Sequence, residues 1–183
     1  MRGNTWIAIL LLASSAGLVV AQAPQSKSDA APMGEMSMEH SKPSGPVGPL
    51  KISFGDKSAE WTPATLASLP HTAVTVYNEH AKAKQTYSGV ALIALLARVG
   101  VPDKPHGKEF QFYLVAEGVD GYKVVYSIGE VSPDVHDGTV IVSDSQDGKP
   151  IADDGPLKLV TTGEKRPARW VRNLVAIRVL PAQ

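Results

Sequence analysis

Apolar and polar side chains divide the chain into three zones. From Trp6 to Val20 almost every residue is apolar or small; from Gln22 to Pro49 branched aliphatic residues are nearly missing until Val47; from Leu50 onward short apolar runs alternate with turn residues. The third zone carries the readable periodicities. Leu50 to Phe54 alternates as a strand does, and Gly55, Asp56 and Lys57 follow as a turn. Thr62 before Pro63 predicts an N-cap and first helical position, opening a short helix through Leu69 that Pro70 stops. Thr72 to Tyr77 is a β-branched strand. Leu92, Leu95, Leu96 and Val99 share one helical face, which predicts a helix over Gly89 to Val99, capped by Ser88 and ended by Gly100. Phe110 to Glu117 and Tyr122 to Ser127 predict two strands joined through Gly118 to Gly121, where Asp120-Gly121 suits a hairpin. Thr139 to Ser143, Leu157 to Thr161 and Leu174 to Leu180 supply three more strands, and Asp147-Gly148 sits at the tip of a turn from Asp144 to Pro150. Strands outnumber helices without regular alternation, so the expected class is α+β: a single mixed-sheet domain with few short helices.

The first two zones read differently. Arg2, the apolar run, the small residues Ala13 to Gly17 and the Val19-Val20-Ala21 ending have the order of a secretory signal peptide over residues 1–21, which predicts a periplasmic or secreted protein with no membrane attachment after cleavage. Residues 22–48 hold too little apolar area to offset their conformational entropy and are expected to form a linker. Residues 49–183 are the domain. Within the linker lies Met33-Gly34-Glu35-Met36-Ser37-Met38-Glu39-His40. Thioether sulfur is a soft ligand that selects copper(I), so Met33, Met36, Met38 and His40 are candidate copper ligands. The competing account is a low-complexity tract that merely tolerates methionine.

Composition narrows the chemistry. The 183 residues include no cysteine, which excludes disulfides, thiolate-held metals and thiol nucleophiles. The 18 basic and 18 acidic side chains balance, and the aromatic share of 6% is small, so neither electrostatic capture of nucleic acid nor base stacking is expected. There is no phosphate-binding glycine loop, no nucleophile elbow and no His-Glu-x-x-His helix.

Five phrases occur together in one order. Tyr87-Ser88-Gly89-Val90-Ala91-Leu92 leads into Leu95-Leu96 and Gly100-Val101; Gly118-Val119-Asp120-Gly121-Tyr122 precedes Tyr126-Ser127 and Glu130; then come Asp147-Gly148-Lys149-Pro150-Ile151, Gly155-Pro156-Leu157-Lys158-Leu159-Val160 and Arg169-Trp170-Val171. In this order the chain resembles the sulfite-oxidase-type molybdopterin-binding domain of oxidoreductases. The glycines have scaffold readings: Gly89 for a tight turn into the helix, Gly121 for a positive φ, and Gly155-Pro156 to open a strand, with Trp170 as a lid over the core edge.

The resemblance implies a molybdenum-ligating cysteine just after the strand at Thr72 to Tyr77, and this chain reads Val76-Tyr77-Asn78-Glu79-His80 there. Asp153-Asp154 also replaces the His-Gly usual in the family, and paired acids repel a pterin phosphate. Tyr77, Asn78, Glu79 and His80 are expected to line whatever cleft survives, with His80 and Glu79 a candidate acid–base pair. Lys165, Arg166, Arg169 and Arg172 beside Trp170 are candidates for an anion, or else a solvated turn offsetting Asp153, Asp154 and Glu164. Tyr77, Asn78, His80, Arg169, Trp170 and Arg172 are therefore the candidate cofactor-binding set. The leading expectation is an exported binding or accessory module of this fold without bound molybdenum, whose partner is a small anion or a periplasmic redox protein. The alternatives are an oxidoreductase that keeps molybdopterin without cysteine ligation, and a copper(I) protein working through its linker.

Overall fold

The computed structural model describes residues 47–79 and 81–182. The signal segment, most of the linker, Met33, Met36, Met38, His40 and His80 lie outside the described residues.

Alternation produces the first hairpin. β1 (Leu50–Phe54) buries Leu50 and Ile52, and Gly55 at φ +57° returns the chain as β2 (Lys57–Trp61), with Leu50 opposite Trp61. Lys57, expected to end the turn, opens this strand, and the polar run Lys57 to Glu60 is strand through its pairing to β1, which supplies what its own propensity does not. In α1 (Pro63–Leu66) the Thr62 hydroxyl accepts from the Thr65 backbone N–H at 3.2 Å, as expected of an N-cap, but the helix stops at Leu66 rather than Leu69. β3 (Thr72–Asn78) then pairs antiparallel with β4 (Ala83–Ala91).

β4 corrects the expected helix from Gly89. Residues 89–91 are strand, paired to β7 (Val140–Gln146), and α2 (Leu92–Ala97) begins only at Leu92, where the apolar helical spacing itself begins; Ser88 caps nothing. Gly89 is needed for approach rather than for a turn, because a Cβ there would lie 2.1 Å from the Val142 carbonyl oxygen. β5 (Phe112–Gly118) and β6 (Lys123–Ser127) form the expected hairpin, with Gly121 at φ +81°. Ser127 caps α3 (Ile128–Val131), a turn of helix that the strand pattern hides. β8 (Lys149–Pro150), β9 (Lys158–Thr161) and β10 (Leu174–Pro181) complete the order.

The strands divide between two sheets rather than one. The first runs β2-β1-β10-β5-β6 and is mixed, since β1 and β10 are parallel; the second runs β3-β4-β7-β8, with β9 also on β7, and is antiparallel throughout. Both sheets and the α2 residues Leu92, Leu95 and Leu96 bury side chains in one large core. Along β7 the faces alternate: Val140 and Val142 enter that core, while Ile141 joins Val74, Tyr87, Val160 and Trp170 in a smaller cluster on the other face. Trp170 is thus 9% exposed and packed into this second cluster rather than lying over the rim of the main core. Tyr126, fully buried, ties the sheets together: its hydroxyl donates to the Arg169 carbonyl at 2.7 Å and pairs with the Thr161 hydroxyl of β9 at 2.6 Å. No helix of the described residues is long and apolar enough to cross a membrane.

Candidate functional site

The second cluster holds a charge. Lys158 opens β9 and, by strand alternation, points to the same face as Val160, where it is 4% exposed. A buried ammonium has to be paired. Its Nζ donates to Asp154 Oδ2 at 2.5 Å and to the Tyr87 hydroxyl at 3.2 Å, and it stands 4.8 Å from the Tyr87 ring centroid and 5.0 Å from that of Trp170. The two rings meet edge to face at 5.4 Å. Next to them the Tyr87 hydroxyl donates to Gln85 Oε1 at 3.0 Å, and the Asn78 amide donates to the same oxygen at 2.7 Å. The ends of β3 and β4 are thereby joined to the ammonium through one chain of polar contacts.

Above this floor opens a cleft of about 520 Å³, whose charged lining residues are Asp120, Asp154, Lys158 and Arg172 and whose apolar and aromatic walls include Tyr122, Pro167, Ala168 and Trp170. Its rim is built by backbone contacts between distant segments. Val119 N–H donates to the Asn173 carbonyl at 3.0 Å, Asn173 N–H to the Asp154 carbonyl at 2.6 Å, and the Tyr122 hydroxyl to the Ala168 carbonyl. Gly155 permits this closeness: at φ +83° its Cβ would fall 1.9 Å from Asn173 Oδ1. Arg172 Nη1 lies 3.7 Å from Asp154 Oδ1, a looser contact than that of Lys158. A smaller hollow of about 430 Å³ shares Asn78 and Asp154 with the cleft.

Of the candidate residues, the fold brings Asn78, Trp170 and Arg172 to this cleft. Tyr77 points to the other face of β3, is 53% exposed, and lines a separate hollow with Glu79, Lys165 and Arg166. Arg169 is absent from the cleft. It is held by Glu164, with Nε at 2.6 Å, and by Glu130, with Nη1 at 2.7 Å, and it lies 4.5 Å above the Tyr126 ring. Burial works against its charge, but the two carboxylates outweigh it and keep the guanidinium more firmly protonated than usual. For Glu130, burial alone would raise the carboxyl, yet the Ser127 backbone N–H and Arg169 hold it below the ordinary range. The four basic residues therefore form no single anion site, and two of them offset Asp154, Glu164 and Glu130. Sequence reasoning placed Asp154 at the site but missed Lys158, Asp120 and Tyr122 as cleft residues and Tyr87 beneath them, although each sits within a phrase it had singled out.

The donor set does not fit a thiolate-held molybdenum centre. No thiol exists in the chain, and the residue at the end of β3, Asn78, offers an amide already engaged with Gln85. An anionic phosphate entering the cleft meets Asp154 and Asp120 as well as the two cations.

No known family profile matches the chain, and no curated protein matches it. Among solved structures the fold matches the sulfane dehydrogenase SoxCD from Paracoccus pantotrophus, with a TM-score of 0.55 and 23% identity, over 72% of this chain and 37% of that one. The likeness establishes a shared α+β architecture with a domain of that enzyme. This chain spans little more than a third of its length.

Proposed function

We propose that this protein is an exported binding or accessory module on the sulfite-oxidase-type molybdopterin-binding scaffold, working without bound molybdenum. One observation carries the reading: where the fold's cleft meets the end of β3, the chain presents the Asn78 amide, and the floor is closed by the Lys158–Asp154 pair between Tyr87 and Trp170. Fold alone does not confer activity, and soft anionic sulfur is not available to this site. The distant likeness to a sulfane dehydrogenase supports the scaffold, and the cleft's own chemistry supports binding in place of redox turnover. Its ligand is small, or it is a segment of a periplasmic redox partner reaching the cleft.

The test uses the full chain purified from its native host, fractionated to confirm export, with molybdenum and released pterin measured per protein molecule. The expected result is an exported chain with far less than one of either. Stoichiometric molybdenum or pterin would establish the rival oxidoreductase instead.

The Met33, Met36, Met38 and His40 tract supports a second role in holding copper(I), since its soft donors are independent of the cleft. Replacing the three methionines by leucine is expected to weaken copper(I) binding by at least tenfold in a competition titration, and equal affinity for both chains overturns that role.

A further inference from the structure

The charges lining the cleft are two acids and two bases, and they are not equivalent. Lys158 and Asp154 are buried or half-buried and paired at 2.5 Å, which leaves at the rim Arg172, whose ion pair with Asp154 is the looser one at 3.7 Å, and Asp120 as the charged groups open to a ligand. Arg172 has a side chain 54% exposed, and its contact to Asp154 at 3.7 Å is too long for a hydrogen bond. Asp120 spends Oδ1 on the Tyr122 N–H at 3.0 Å, and its Oδ2 has no partner among the described residues. The two residues are neighbours: a Cβ on Gly118 would lie 2.8 Å from both the Arg172 carbonyl oxygen and Asp120 Oδ1. The same cleft is lined by the aromatic and apolar surfaces of Trp170, Tyr122, Pro167 and Ala168.

Resting on the proposed binding role, we infer that the cleft takes a small zwitterion, a carboxylate and an ammonium carried on a compact apolar body, as in an apolar α-amino acid. The carboxylate pairs with the Arg172 guanidinium, whose planar fork matches it, and the ammonium pairs with Asp120. The apolar body packs against Trp170, whose ring is fixed by its indole N–H donating to the Thr161 carbonyl at 2.9 Å. A lining of balanced charge gives no attraction to a polyanion and favours a ligand whose own charges cancel. The Lys158–Asp154 pair acts as a pre-organised floor, because it is held by two rings and a hydroxyl before any ligand arrives.

The test is calorimetric titration of the full chain, at neutral pH, with L-phenylalanine, 3-phenylpropionate and phenethylamine, which share a body and differ only in charged groups. L-Phenylalanine is expected to bind at least tenfold more tightly than either relative. Asp120→Asn, which keeps an oxygen for the Tyr122 N–H, is expected to bring L-phenylalanine and 3-phenylpropionate within about twofold of each other. Arg172→Gln is expected to weaken both carboxylates at least tenfold. Both changes are at exposed side chains, and unchanged circular dichroism confirms folding. Equal binding of L-phenylalanine and 3-phenylpropionate by the unaltered protein overturns the inference, as does unchanged selectivity in Asp120→Asn or no binding of any probe to pterin-free protein. Stoichiometric pterin in the same preparation would instead overturn the underlying functional reading, so the two failures are separable.

Discussion

Tyr126 shows how one side chain sets both packing and titration. Burial pushes its phenol up to about 12, against a smaller opposing effect from the Thr161 hydrogen bond. The neutral form is the one that folds with, so this contribution is present below the ordinary phenol value near 10 and is lost as pH climbs through about 12. Ultraviolet titration should therefore leave Tyr126 protonated at pH values where an exposed phenol has ionised, and Tyr126→Phe should remove that late step. The same substitution leaves the Arg169 carbonyl and Thr161 hydroxyl without their partner, at a cost of about 1–3 kcal/mol in urea unfolding. His71 behaves in the opposite range. Its Nε2 faces Asp144 Oδ2 at 3.0 Å and its Nδ1 faces the Leu69 carbonyl at 2.7 Å, so two acceptors favour the doubly protonated ring and raise its pKa, the Asp144 hydrogen bond most of all. Stability from this clip is complete below the unfolded value of 6.5 and declines as pH rises through the higher folded value. The difference in unfolding free energy between the unaltered protein and His71→Gln should shrink steadily from pH 6 to pH 9; a constant difference would show that the ring is not charged in the fold.

Elements follow from pairing as much as from pattern. Gly89→Ala is expected to prevent folding, because the added carbon meets the β7 backbone of Val142 at 2.1 Å and neither strand can retreat without breaking the ladder; Gly48→Ala, with nothing within 4 Å, is the matched control in a solubility and circular-dichroism comparison. At α3, Ser127→Ala removes a cap that accepts the Glu130 N–H at 3.3 Å, and should lower the unfolding midpoint by about 1 kcal/mol equivalent. The strands at 50–54, 72–77, 157–161 and 174–180 were legible because apolar alternation and β-branched residues agree there. β2 was not, since Lys57, Ser58 and Glu60 have no strand preference and the element exists through its partner. β4 was masked by the leucine spacing that follows it, which is truly helical from Leu92 and extends backward in the eye to Gly89. The site was half legible. Asn78 could be found by its place after the strand at 72–77, Trp170 by its phrase and Arg172 by the basic run beside it, but Lys158 reads as an ordinary outward lysine on an alternating strand. Nothing local to Lys158-Leu159-Val160 says that the outward face is covered by Trp170 from the following loop.

At the scale of the molecule, the two-sheet sandwich separates scaffold from site. Among the described residues the one buried charged side chain, Lys158, lies on the far face of the second sheet, where the charge chemistry can change without disturbing the main core. Trp170→Ala is expected to cost about 3–5 kcal/mol, because it removes an indole that is almost fully buried, and the loss should fall hardest on the second cluster. Hydrogen exchange would then show early opening at Val74, Ile141 and Val160 while Leu114 and Ile177 stay protected; uniform opening would mean that the two clusters unfold as one. The parallel pairing of β1 with β10 bears on synthesis. β10 stands between β1 and β5, so the hairpin made earliest and the one made midway have nothing to join them until almost the whole domain has been translated. A growing chain halted before Leu174 should be protease-sensitive throughout its first sheet, and one released past Pro181 should acquire resistance in a single step. Ribosome-stalled fragments of increasing length would reveal whether this domain waits for its last strand before it folds at all.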